Sequence, residues 1–298
     1  MMSTLADIPG NVPSRSGRRR PTWRLALERP TVVIGGLTVM ALIIIAIFAP
    51  WLVNFPHDKF HIVDRLLPPN PRYWFGTDEF GRDVYSRVLI GTRLSLLIGL
   101  AATAVCMLIG TPLGLLVGYL GGKIDEFTMR ALDIIMSFPS IVFGMLILSI
   151  TTPSATKTAV VVGIVYAPAI ARITRSVTLS IKEEEYALAA RARGESHTYI
   201  IFGEILPNAW PPIIVEASLR LTFAILVAAS LSFLGFGAQP PDTDWGLMIA
   251  DARPFMAGSP WIALFPGLAM CLTVFGCNLL GDGLRDVLDP RAGFSGGR

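Results

Sequence analysis

The chain has 298 residues, 52% of them hydrophobic and only 16% charged, with a net charge of +3 and a mean hydropathy of +0.58. Soluble domains carry about 25% charged residues, and here the shortfall is concentrated in long uncharged runs. That excludes a water-soluble globular protein and points to an all-α, polytopic membrane protein without a nucleic-acid partner.

Residues 1–29 form an N-terminal tail, of which 1–20 are polar and rich in Pro, Ser and Arg, with too little apolar surface to fold alone. Charge gaps then place the spans. Thr31 to Val53, Leu94 to Gly122, Ile134 to Thr156, Leu221 to Pro241 and Pro254 to Gly281 are each uncharged or nearly so. Thr158 to Ala171 is shorter, but the flanking Lys157 and Arg172 can extend their charges to the interfaces, which makes it a sixth span. The inner segments then hold 17 Lys and Arg against eight outside, so the positive-inside rule puts both termini in the cytoplasm. Span one is too long for a signal-peptide core and reads as an uncleaved anchor at 30–53. Cys106, Cys271 and Cys277 fall inside apolar runs and read as small packing residues.

Between spans one and two lies the largest outer loop, 54–92. "LLPPNPRYWFGTD" is Pro-rich and irregular, and its Tyr73, Trp74 and Phe75 suit a membrane-interface belt. "DEFGRDVYSRVLIG" reads as a short amphipathic helix capped by Thr77, with Val84, Val88 and Leu89 on one face. A five-span core occupies 93–284, within which "GYLGGKIDEFTMRALD" turns through glycines into a charged helical start. Pro112, Pro139, Pro168 and Pro266 each free a backbone carbonyl at or near membrane depth. A tail at 285–298 closes the chain.

The stretch "IKEEEYALAARARGESHTYIIFGEILPN" (181–208), part of a loop at 177–210, is a soluble-type helix set between two spans. Ser180 and Glu183 form a capping box, Glu184 and Glu185 suit a helix start, and Arg191 and Arg193 suit its end. Gly194 is placed for a left-handed stop, so the pattern predicts a helix from Ile181 to Arg193. Tyr186, Ala189, Ala190 and Arg193 share one small, mildly apolar face, too poor for lipid and suited to another protein surface. A second helix from Ser196 to Ile205 is expected to stop at Pro207, giving a rigid helix-turn-helix knob.

"LAARARGESHTYIIFGEILP" (188–207) resembles the EAA loop of ABC-importer permeases, with Ala189, Ala190, Gly194, Leu206 and Pro207 matching and Leu188 and Glu204 departing. "FGTDEFGRDVYSRVLIG" (75–91), "SFLGFGAQPPDTDWGLM" (232–248) and "NLLGDGLRDVLDP" (278–290) are similar to the C-type permease of the dipeptide, oligopeptide and nickel group. The likeness runs from about residue 25 to 292. It implies a type I importer permease fold: a pore-forming subunit, not an enzyme, paired with a second homologous permease. It further implies two cytoplasmic ATPase subunits carrying ATP and Mg, and an extracytoplasmic substrate-binding protein. Tyr186, Ala189, Ala190, Arg193 and Gly194 would then be the coupling helix that docks on the ATPase. Asp242, Asp244 and Trp245 would lie on the side where the binding protein docks.

No Walker phosphate loop is present, since "GYLGGKI" has the wrong spacing, so this chain is expected to bind no cofactor of its own. His57 and His61 would need a helix to face one metal, and no helical pattern surrounds them; no metal site is expected. Glu216 and Arg220, at i and i+4, are either an ion pair near the cytoplasmic interface or a polar wall and inner gate of the path. An ion-coupled secondary transporter would show ionisable groups at mid-membrane and repeated halves, and an enzyme would show a catalytic cluster. The substrate implied by the resemblance is a short peptide, with glutathione, nickel and oligosaccharides as alternatives.

Overall fold

Uncharged segments in lipid must satisfy their backbone groups internally, so they become helices. The computed structural model describes residues 29–288. Its helices are α1 (Pro30–Leu52), α2 (Val84–Leu120), α3 (Gly122–Met136), α4 (Ser140–Leu148) and α5 (Ala155–Ile181). Then come α6 (Glu185–Ala192), α7 (His197–Phe233), α8 (Trp245–Ala252) and α9 (Trp261–Leu288). Among the described residues α1, α2, α5, α7 and α9 are each long and apolar enough to cross a membrane. The terminal tails at 1–28 and 289–298 lie outside the described residues.

Span three is not the continuous helix expected over 134–156. It is a broken pair, α3 and α4, bent by 86°. Pro139 supplies no N–H and disfavours helical backbone at Phe138, and the Ser137 hydroxyl donates to the Ile134 carbonyl at 2.7 Å, closing α3. The short fourth run is part of a 27-residue helix, because Arg172 and Arg175 continue α5 instead of ending it.

The expected outer amphipathic helix has no separate existence: it is the first turns of α2, whose 37 residues rise about 55 Å. Asp83, not Thr77, caps it, accepting from the Ser86 N–H at 3.0 Å and the Ser86 hydroxyl at 2.6 Å. Thr77 is turned into the loop, donating to the Asp64 carbonyl and accepting from the Leu67 N–H. Tyr73 and Phe75 are not an interface belt either. Tyr73 is buried and donates to Asp64, and Phe75 stacks on Phe265 of α9, leaving Trp74 exposed.

The centre of the bundle is α2 against α5. Lipid tails are as apolar as the helices, so close van der Waals fit holds such pairs together. Gly110, Gly114 and Gly118, spaced four apart, bring the α2 backbone onto α5. A Cβ on Gly110 would stand 2.6 Å from the Ala167 carbonyl oxygen, and one on Gly118 2.9 Å from the Thr178 Cβ. Helix α7 completes a core of Ile98, Ala102, Val162, Ala224 and Leu231, while α1 flanks the bundle on α9. Cys106 and Cys277 are buried as expected, whereas Cys271 is exposed on α9.

Candidate functional site

At the Leu120 end of α2 the chain builds the knob. Helix α6 is shorter than the Ile181–Arg193 helix that its capping signals predict. Thr174 and Thr178 of α5 press against Gly114 and Gly118, and this contact carries α5 through Ser180 to Ile181, overriding the Ser180–Glu183 box. The chain then turns at Lys182–Glu184, and Lys182 Nζ donates to the Gly118 carbonyl at 3.0 Å. Glu185 at the start and Arg191 at the end of α6 match its dipole. Gly194 ends it as expected, at φ 78°, with its N–H on the Arg191 carbonyl and the Glu195 N–H on Ala190.

The face of α6 is not the one the spacing suggests. Ala187 and Ala190 are fully buried, and Ala190 is clustered with Leu115, Tyr119, Ile200, Ile201 and Ile205. Ala190 therefore belongs to the knob's own seat, because α6 must bury one side to stay on the bundle. Tyr186, Ala189, Arg193 and Gly194 point outward, with Leu188 beside them. The Tyr119 hydroxyl meets His197 Nδ1 at 2.7 Å, and the Arg191 guanidinium lies 5.0 Å from the Tyr119 ring centre. Partial burial, with the Glu184 and Glu204 carboxylates near, holds the Tyr186 phenol above its ordinary value.

Pro207 does not stop the following helix. A wide π turn over Ile200–Ile205, in which the Leu206 N–H reaches the Ile201 carbonyl, lets one continuous α7 pass over the proline. The knob is thus fused to a membrane span: Leu206 packs on its cluster, and Pro207 opens the main run of α7. Two ion pairs brace the same end, Arg175 with Asp125 and Arg172 with Asp133, both joining α5 to α3.

The opposite end holds a network that sequence reasoning missed. Asp78, fully buried, accepts from Arg82 Nε and from an Arg87 terminal nitrogen, each at 2.6 Å. Arg87 continues to Thr243 and Asp251, both at 3.4 Å, which ties the 54–83 loop to α8. Only the i, i+4 spacing of Asp78 and Arg82 was a local signal; Asp251 lies too far along the chain to be paired by pattern.

Of the three residues assigned to the binding-protein side, Asp242 is exposed and the other two are not. Asp244 is buried, caps α8 through the Leu247 N–H at 3.0 Å, and accepts from Ser232 at 2.9 Å. Burial pushes its carboxyl above the ordinary range, against those hydrogen bonds. Trp245 is fully buried, its indole donating to the Val88 carbonyl at 3.2 Å. Asp244 ties the start of α8 to α7 through Ser232 and Trp245 anchors it on α2, so neither is a contact surface. His57 and His61 sit on irregular backbone, and among the described residues no cluster of three or more His, Cys, Asp or Glu could hold a metal ion.

Glu216 and Arg220 do meet, Arg220 Nε donating at 2.7 Å. Their depth is the surprise. The guanidinium lies 5.7 Å from the Tyr166 ring centre, and Tyr166 stands about 16 Å of helix from one end of α5 and about 22 Å from the other. The pair is therefore level with the middle of α5.

Comparison with known proteins accounts for this arrangement. Residues 110–293 match the family model described as the binding-protein-dependent transport system inner membrane component, and residues 19–69 match the N-terminal TM domain of oligopeptide transport permease C. The chain is 43% identical to a dipeptide transport system permease of Alkalihalophilus pseudofirmus over 90% of each chain. It is also 42% identical to a probable D,D-dipeptide transport system permease of Escherichia coli K12, over 89% of each. A glutathione transport system permease of Pectobacterium atrosepticum is 43% identical over 91% of each. Among solved structures, the inward-facing MetNI methionine ABC transporter shares the fold at a TM-score of 0.58 and 18% identity, covering 67% of this chain and 96% of that one. The chain belongs to the permeases of binding-protein-dependent ABC importers, multi-pass proteins of the bacterial inner membrane, in the branch of the C-type dipeptide and oligopeptide permeases.

Proposed function

We propose that this permease forms half of a translocation pathway for short peptides, paired with a second, homologous permease. Two ATPase subunits, with ATP and Mg bound on them and none on this chain, would drive it, and an extracytoplasmic binding protein would deliver the peptide. The peptide reading is supported by relatives named for dipeptide, D,D-dipeptide and glutathione transport; glutathione is itself a tripeptide. The positive-inside balance supports placing both termini and the knob in the cytoplasm. The pore-forming chain would then carry no catalytic residues.

The observation that carries the coupling role is the division of α6 into two sides. Its Ala187 and Ala190 side is sealed onto α2 and α7, while Tyr186, Ala189, Arg193 and Gly194 stand free. A motion imposed on the free side passes through the buried cluster and the unbroken α7 into the membrane, reaching Glu216 and Arg220 as an inner gate. Reconstitution of the permease pair with its ATPases and binding protein in proteoliposomes tests this. Peptide uptake that requires ATP and the binding protein is the expected result; uptake by the permease alone on an ion gradient would overturn it.

A further inference from the structure

Two charged side chains level with the middle of a helix apolar enough to cross a membrane need a reason to be there. Removing both from water is unfavourable, and their mutual attraction offsets this only in part, so intramembrane ion pairs mark sites where charge is used. Arg220 is 21% exposed and Glu216 12%. The Arg220 guanidinium also lies 5.8 Å from the Phe223 ring centre, so Tyr166 and Phe223 both border it.

The space beside Arg220 is specific. A cavity of about 230 Å³ is walled by Arg220 and Tyr166, and on its far side by Met136, Phe138 and Ser140, the two lips of the break between α3 and α4. Irregular backbone at membrane depth persists where it is buried in protein or lines a wet cavity. Here the break turns the start of α4 toward the same space as Arg220. The cap residue of α4 is Pro139, and no side chain caps its first turn. Guanidinium, serine hydroxyl and uncapped helix start all favour a negative group. Among the described residues Glu216 is the only carboxylate paired with Arg220, and it stands on the same helix. In volume the cavity falls below the roughly 300 Å³ at which ligand pockets begin. It holds one end of a peptide, not the whole.

We propose that this cavity receives the terminal carboxylate of the transported peptide, and that Glu216 occupies Arg220 in its absence as an internal stand-in. The arriving carboxylate takes the guanidinium, and the displaced Glu216 carboxylate becomes free to meet the peptide's ammonium end. A bidentate guanidinium suits this exchange, since it can hold two carboxylates in turn through different N–H edges. The proposal rests on the peptide reading given above and adds which chemical group the permease itself selects.

The full complex in proteoliposomes, with ATP inside and binding protein outside, provides the test. Uptake of a dipeptide with a free carboxylate is compared with its C-terminal amide, each at a concentration saturating the binding protein. The wild type is expected to prefer the free acid at least tenfold. Arg220→Gln should bring that ratio below twofold while the permease still assembles with its ATPases and binding protein. The double variant Glu216→Gln, Arg220→Gln leaves no unpaired charge in the span, which controls for misfolding; it should show the same lost preference. A wild type with no preference, or variants that retain it, overturns the carboxylate assignment alone. A wild-type complex that takes up neither compound, while its ATPase responds to loaded binding protein, overturns the peptide reading and this assignment with it.

Discussion

Arg175 of α5 grips both carboxylate oxygens of Asp125, which stands in the first turn of α3. This fork fixes α3 to α5 beside the glycines Gly114 and Gly118, directly below the knob. Both partners are largely shielded, at 28% and 13% exposure. Charge-assisted hydrogen bonds of this kind contribute about 1.5–3 kcal/mol. Arg175→Gln should therefore lower the unfolding midpoint in detergent measurably. Arg130→Gln, which breaks the exposed pair with Glu126, should leave it within error. Thermal unfolding of the two variants side by side checks both.

Neighbouring alanines of α6 should behave in opposite ways. Ala190 is fully buried among Leu115, Ile200 and Ile205, so Ala190→Glu places a carboxylate in an apolar seat and should unseat the knob, lowering thermal stability. Ala189 is exposed, so Ala189→Glu should leave stability within about 0.5 kcal/mol while reducing co-purification of the ATPase. At Gly194 only the backbone is constrained, since an added Cβ would meet nothing within 4 Å. Gly194→Asn, which tolerates the left-handed region, should retain uptake, and Gly194→Val should lose it. Normal uptake in both Ala189→Glu and Gly194→Val would remove α6 from the coupling path.

Which parts were legible follows from the range of the forces involved. Charge gaps and the Gly194 stop are local; they located the spans and the end of α6, although α7 begins well before the Leu221–Pro241 gap and ends at Phe233. Where local and tertiary signals disagreed, tertiary contact prevailed. The capping box at Ser180 yielded to the fit of Thr174 and Thr178 on α2, and the stop at Pro207 yielded to a π turn. Tyr186, Ala189, Ala190 and Arg193 share a helical face by spacing, but spacing does not say which part of it faces inward. Asp244 and Trp245 looked like outer-surface residues because the loop around them is polar, yet one is a buried cap and the other a buried anchor. Arg87 and Asp251 pair across most of the chain length, beyond the reach of any periodicity.

The Gly110, Gly114 and Gly118 series should be intolerant of any side chain. Helix α2 meets α5 there at backbone distance, and a Cβ on Gly114 would collide with the Ala171 carbonyl oxygen. Overfilling a close-packed contact costs about 1–3 kcal/mol, and here neither partner atom is the end of a flexible side chain that could move. Gly114→Val should reduce the yield of folded protein and raise protease sensitivity. Gly267→Val on α9, where an added Cβ would meet nothing within 4 Å, should not. Limited proteolysis of the membrane fraction distinguishes them.

Glu79 provides a pH test of the outer network. Its Oε1 takes Arg82 at 2.8 Å, while Oε2 is buried without a partner. Burial first, and then the neighbouring Asp78 carboxylate, hold the Glu79 carboxyl above its ordinary value against the pull of Arg82. A carboxyl raised in this way binds a proton more readily folded than unfolded. Stability should therefore fall as pH rises from the ordinary glutamate range, about 4.3, through the raised value, with the penalty complete above it. Glu79→Gln removes that titration and keeps an acceptor for Arg82. Its unfolding midpoint relative to wild type should accordingly improve as pH rises from about 4 to about 7.5. A difference that stays constant over that interval would show that burial does not raise the Glu79 carboxyl.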